Sequence, residues 1–186
     1  GFLTIPRHHP DYYTLILLNN AFGGDFSARL NMNLRQDKGY SYGYHSTIEW
    51  LTGPSAFVAG GGVQTAVTKE AIVETLKEFA DIKGGRPVTR DEFNESRDGI
   101  LNGLPGQFET QHQILQLLTR LVTFDLPDDY FSSYVASLNA VSLDDVNRLA
   151  KTGLDDGHLS ILVVGDRAVV EPGLRELDLP VVPVDY

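Results

Sequence analysis

At Gly39 the spacing of apolar residues switches from helical to extended, and that switch limits what the first third of this chain can become. Upstream, DYYTLILLNNAF sets Leu15, Leu18 and Phe22 near one side of a helix. The stretch DFSARLNMNLRQDK repeats this with Phe26, Leu30 and Leu34 at i, i+4 and i+8. Pro10 and Asp11 suit the opening turn of the first helix, where a missing N–H costs nothing and a carboxylate favours the helix dipole. Gly23-Gly24 ends or bends that helix, and Gly39 caps the second. From Tyr40 the period becomes two: Tyr40, Tyr42, Tyr44, Ser46, Ile48 and Trp50 share one side of an expected strand. LTGP makes a turn and SAFVAGGGV returns as the antiparallel partner, with Gly60-Gly61-Gly62 allowing close backbone approach at its end.

From Thr68 onward helical patterns dominate. Thr68 is an expected cap for TKEAIVETLKEFADI. Thr89 with Glu92, and Ser142 with Asp145, have capping-box spacing. FETQHQILQLLTRLVTF offers a broad apolar face of Ile114, Leu117, Leu118 and Leu121, and PDDYFSSYVASLNAV reads as a further short helix. HLSILVVGD is a continuous apolar run bounded by turn formers, the pattern of a buried strand, and VVPVDY reads as an edge strand. The order predicts an α+β fold: an antiparallel-rich sheet with helices packed on one face, as one domain over residues 1–186. GFLTIP looks like the second half of a strand, as a fragment lacking its first strand or strands would show.

Composition narrows the chemistry. With 15 basic against 25 acidic side chains the net charge is -10, which disfavours nonspecific contact with nucleic acid or an anionic membrane. No cysteine is present, so disulfides, thiolate metal sites and a cysteine nucleophile are excluded. The triglycine lacks the lysine and spacing of a phosphate loop, and no dinucleotide fingerprint or GxSxG elbow occurs. His8, His9, His45, His112 and His158 form no ligand pair at helical spacing with a carboxylate, so no metal is expected on this chain.

Arg35 and Tyr42 are the candidates that remain. A helix end, a tight Gly39 turn and a strand start can bring them to one edge of the fold. A guanidinium fork and a phenol could there hold a peptide carbonyl or the oxyanion formed when water attacks it. Activating that water needs a metal and a general base from elsewhere. The residues alone favour the plainer reading, with Arg35 a surface ion-pair partner of Asp37 or Glu49 and Tyr42 a sheet-face aromatic.

NNAFGGDFSARLNMNLRQDKGYSYG closely resembles the hallmark segment of the second homologous domain of M16 (pitrilysin or insulinase-like) zinc metallopeptidases. That segment reads as a helix ending in LGG, then F-S-S-R-L, then L-R-E-K-x-G-hydrophobic-A-Y. The likeness continues through PVTRDEFNESRDGILNGLPGQFET, LPDDYFSSYVASLNAVSLDDVNRLA and HLSILVVGD, from about Pro6 to Asp166. Each piece is weak alone; together, in order, they are specific. Gln36 stands where the family usually has an acid and Ser41 where it has alanine.

The resemblance implies an αβ domain that completes a zinc endopeptidase, paired with a homologous HxxEH domain that carries the zinc. Arg35 and Tyr42 match the family's substrate-holding arginine and tyrosine, seven residues apart. Gly60 and Gly61 are expected to line the substrate groove. No HxxEH occurs here, so the chain by itself is expected to be inactive towards peptides or unfolded proteins. The alternative is a non-catalytic scaffold or regulatory subunit. A homo-oligomer is a further arrangement left open. Bacterial export to a periplasm fits the resemblance, with the cytoplasm as alternative; composition enforces neither.

Overall fold

A computed structural model describes residues 1–154 and 156–184. Three strands, β1 (Phe2–Thr4), β2 (His45–Glu49) and β3 (Ser55–Gly60), form a sheet of order β1-β3-β2, antiparallel throughout. The register sets Phe57 opposite Phe2 on one side and Ile48 on the other. Alternation then turns Ser55 and Phe57 inward, with Ser46 and the half-buried Ile48 beside them.

Helices cover that inner face. Helix α1 (Tyr12–Asn19) runs on as a π-helical turn through Gly24, and α2 (Arg29–Asn31) likewise continues as π-helix over Met32–Asp37. Behind them lie α3 (Thr68–Lys83), α4 (Arg90–Gly103), α5 (Gln111–Thr123), α6 (Tyr130–Ala140), α7 (Leu143–Gly153) and α8 (Arg167–Leu174). Leu15, Leu18, Leu30, Leu34 and Ile82 are fully buried in one core with Phe22 and Phe57. Rings knit the layers together: Phe57 stacks on Phe2 at 5.1 Å and Phe22 meets Phe79 of α3 at 4.6 Å. The α+β architecture with helices on one face of a small antiparallel sheet is as the periodicity predicts.

Thr89–Glu92 and Ser142–Asp145 close as capping boxes, and Thr110–Gln113 forms a third at the start of α5. Thr68 does not cap α3. It is the first helical residue, and its hydroxyl donates to the Thr65 carbonyl at 2.9 Å. Glu92 has a second task. The Arg29 fork donates to both its carboxylate oxygens, at 2.6 and 2.7 Å, and to the carbonyls of Pro87 and Arg86. This ties α2 to α4 through a buried cation. Burial pushes the Glu92 carboxyl up, but Arg29 and the Thr89 amide and hydroxyl outweigh it, drawing its pKa down to about 2.

Four further local expectations fail. The regular strand after Gly39 begins only at His45; Tyr40 to Tyr44 is irregular, with a Ser41–Val63 bridge to the far segment in place of a ladder. Helix α5 buries only Leu117, leaving Ile114 and Leu118 exposed. The run HLSILVVGD is not a buried strand. Ser160 exchanges two backbone hydrogen bonds with Gly1, at 2.8 and 2.9 Å, but beyond it no ladder partner is present among the described residues. Ile161, Leu162 and Val164 are accordingly exposed. Of the expected edge strand VVPVDY, residues 181–184 form no strand, and 185–186 lie outside the described residues.

The end of β3 lies close against the irregular segment. A Cβ on Gly61 would stand 2.2 Å from the Gly43 carbonyl oxygen and 3.1 Å from Tyr44 Cα, whereas one on Gly60 would meet nothing within 4 Å. Gly61→Ala is therefore expected to cost about 1–3 kcal/mol by overpacking. Gly60→Ala should lower stability by no more than about 1 kcal/mol, with both read from denaturant titration. The depressed Glu92 carboxyl stabilises the fold above its unfolded pKa near 4.5, and that contribution is lost as pH falls towards about 2. Glu92→Gln should lower the melting temperature at neutral pH by roughly 5–10 °C, since it strands a buried guanidinium. The same variant should flatten the melting-temperature profile between those two pH values.

Candidate functional site

The site is built where α2 runs out. Tyr40 and Ser41 N–H groups both reach back to the Leu34 carbonyl, at 2.8 and 3.2 Å, while Lys38 N–H bonds the Asn33 carbonyl at 3.0 Å. This wide wrap needs a left-handed residue, and Gly39 supplies it with φ of 66°. The turn is strapped from outside: Gln64 donates its side-chain amide to the Gly39 carbonyl and its backbone N–H to that of Tyr40, at 2.9 and 3.0 Å.

Asn31 holds the other side. Its side chain is fully buried, donating to the Phe26 carbonyl at 2.7 Å and accepting from Tyr44 N–H at 3.2 Å. One amide thus joins the loop before α2 to the loop after it. Ser41 Oγ accepts from Gly43 N–H at 3.1 Å and lies within hydrogen-bond distance of the Gly43 and Gly62 carbonyls. The segment carrying Tyr42 is irregular yet firmly tied.

Arg35 and Tyr42 come together there. The Arg35 guanidinium carbon lies 5.0 Å from the Tyr42 ring centroid and 4.6 Å from that of Phe26. Neither Asp37 nor Glu49 pairs with Arg35, and no hydrogen bond occupies its fork among the described residues. The three tyrosines part ways. Tyr44 is buried with its hydroxyl 3.0 Å from Thr75 Oγ1, Tyr40 is half-buried, and Tyr42 is 89% exposed. Of the three, Tyr42 alone offers both a phenol to solvent and a ring to Arg35. An arginine fork and a phenol with unspent donors, side by side, suit a carbonyl or carboxylate acceptor.

Gly60 and Gly61 lie on a different wall. With Tyr44, Ala71, Phe79 and Val163 they line a cavity of about 290 Å³ between β3, α3 and the extended 159–165 segment. Neither Arg35 nor Tyr42 lines it. Gly61 still bears on the site, because it lets β3 close on Gly43 beside Tyr42. Zinc finds no fit here. Among the described residues no group of three or more His, Asp or Glu side chains can hold a metal ion, and His9 Nδ1 is engaged by the Asp11 N–H at 3.1 Å.

Sequence reasoning missed Phe26 and Asn31. Phe26 has core spacing with Leu30 and Leu34, but those two are fully buried while Phe26 is 55% exposed. The signal lay in Asp25-x-Ser27: the Asp25 carboxylate accepts from Ser27 N–H and hydroxyl at 3.1 and 3.0 Å, a turn that holds residue 26 outside the helix. Nothing in the pattern marks Asn31, whose role depends on contacts made thirteen residues away.

Known proteins share this frame. The family model described as the peptidase M16 inactive domain matches residues 1–100. A zinc protease of Bacillus subtilis described as uncharacterized, YmxG, is 31% identical over 173 residues, covering 88% of this chain. The chain spans 40% of that relative's length. The fold recurs in the M16 inactive domain from Pseudomonas fluorescens, with a TM-score of 0.73 at 19% identity over 82% of this chain and 36% of that one. A protease from Helicobacter pylori gives 0.72 at 17% identity, covering 84% of this chain and 38% of that one. The family match over more than half the chain, on this fold, means that the chain belongs to the peptidase M16 inactive-domain family.

Proposed function

We propose that this chain is the non-zinc half of a two-part M16 peptidase, and that Arg35 and Tyr42 hold the peptide backbone beside a zinc centre supplied by a homologous HxxEH domain. The observation that carries this reading is their mutual contact with every donor unspent among the described residues. A guanidinium kept free of carboxylates retains its full charge for an incoming acceptor. The phenol adds a donor from a rigid ring. Donors set in advance around a carbonyl oxygen favour the charge that develops there when the carbonyl is attacked. This chain's residues bind and orient; water activation belongs to the partner.

A second reading has its own support. The family match is to a domain described as inactive, so the chain also fits a non-catalytic scaffold or regulatory subunit of an M16-like assembly. The two readings part on the pair itself, because assembly alone makes no use of exposed donors at Arg35 and Tyr42.

Reconstitution with an HxxEH-bearing partner decides between them. Arg35→Ala should lower kcat by roughly 10²-fold and Tyr42→Phe by about 10-fold or more, with partner affinity unchanged by titration. Unaltered kinetics in both variants would favour the scaffold. The chain assayed alone, with zinc added, should cleave no peptide; appreciable zinc-dependent turnover by the pure chain would defeat the half-site reading.

A further inference from the structure

Among the described residues no carboxylate fixes Arg35, and an arginine side chain left to itself samples many rotamers. What it has is two rings. Tyr42 serves as both stacking surface and donor. Phe26, 4.6 Å from the guanidinium carbon, has no polar group and can only stack. That difference matters chemically. A carboxylate partner would order the guanidinium but occupy its N–H donors, whereas a phenyl face orders it and leaves them open.

The backbone is organised to offer that face. Asp25 caps the turn through Ser27, and the Ala28 N–H reaches the Asp25 carbonyl at 3.2 Å. The buried Asn31 amide then clamps the Phe26 carbonyl. The main chain at Phe26 is held at its carbonyl while the residue stays 55% exposed, in a position where the helical pattern expects core. Phe26 thus stands largely in water at a fixed place, with the Arg35 guanidinium over its ring.

We propose that Phe26 is a positioning residue for Arg35, orienting the guanidinium so that its donors face an incoming carbonyl. This rests on the reading of Arg35 and Tyr42 as a backbone-holding pair, and the test separates the two. In the full chain labelled with ¹⁵N, the Arg35 Nε–Hε order parameter is expected to exceed that of solvent-exposed arginines. It should drop below about 0.6 in Phe26→Leu and recover in Phe26→Trp. In the reconstituted enzyme, Phe26→Leu should lower kcat/KM about 2- to 5-fold, with Phe26→Trp restoring it. An Arg35 side chain equally ordered in Phe26→Leu would overturn the proposal. Loss of order without any change in kcat/KM would uphold the positioning of Arg35 and count against its role on substrate.

Discussion

The buried amide of Asn31 is the joint on which the site depends. It satisfies the Phe26 carbonyl and the Tyr44 N–H at once, two backbone groups that flank the arginine-bearing helix from opposite ends. Without it the buried Tyr44 N–H would lose its partner, at a cost of about 1–3 kcal/mol. The irregular segment from Tyr40 to Tyr44 can therefore stay irregular, and Tyr42 can stand in water, because its two ends are fixed. Gln64 and Gly61 complete the clamp from the β3 side.

Arg7 and Arg35 both stack on aromatic rings, with opposite outcomes. Arg7 is 4% exposed, its guanidinium 3.4 Å from the Tyr12 ring centroid and 5.1 Å from that of Tyr130, and its Nε and Nη2 have no hydrogen-bond partner among the described residues. There the rings enclose the cation and make it part of the interior. Burial in the same cluster pushes the Tyr134 hydroxyl up to about 12, so that phenol stays neutral. At Arg35 the residues that supply the rings, Phe26 and Tyr42, are themselves largely in solvent, and Arg35 is only half-buried. The same interaction lies inside the packed interior in the first case and at the surface in the second.

Much of this was legible in the sequence. The Gly39 turn, the helix before it and the hairpin after it follow from a change of period and one left-handed glycine. Two of the three capping boxes follow from spacing. Arg35 and Tyr42 were reachable because a turn of known type brings a helix end and a strand start together. What escaped depends on neighbours that a local pattern cannot name. The alternation of Tyr40, Tyr42 and Tyr44 reads as a strand, yet the wrap onto Leu34 and the Asn31 clamp break the pleat. Phe26 has core spacing, but an aspartate-capped turn carries it out of the helix. The apolar runs in α5 and after His158 are correctly seen as hydrophobic, but whether such a run is buried depends on what packs over it.

If Arg35 and Tyr42 act together, they act on one substrate oxygen. The most direct measurement is a crystal structure of this chain assembled with a zinc-bearing homologous domain and an uncleaved peptide. An Arg35 guanidinium nitrogen and the Tyr42 hydroxyl should each lie about 3 Å from the same peptide carbonyl oxygen. A bound peptide running through the cleft with both side chains turned away from it would contradict their shared role.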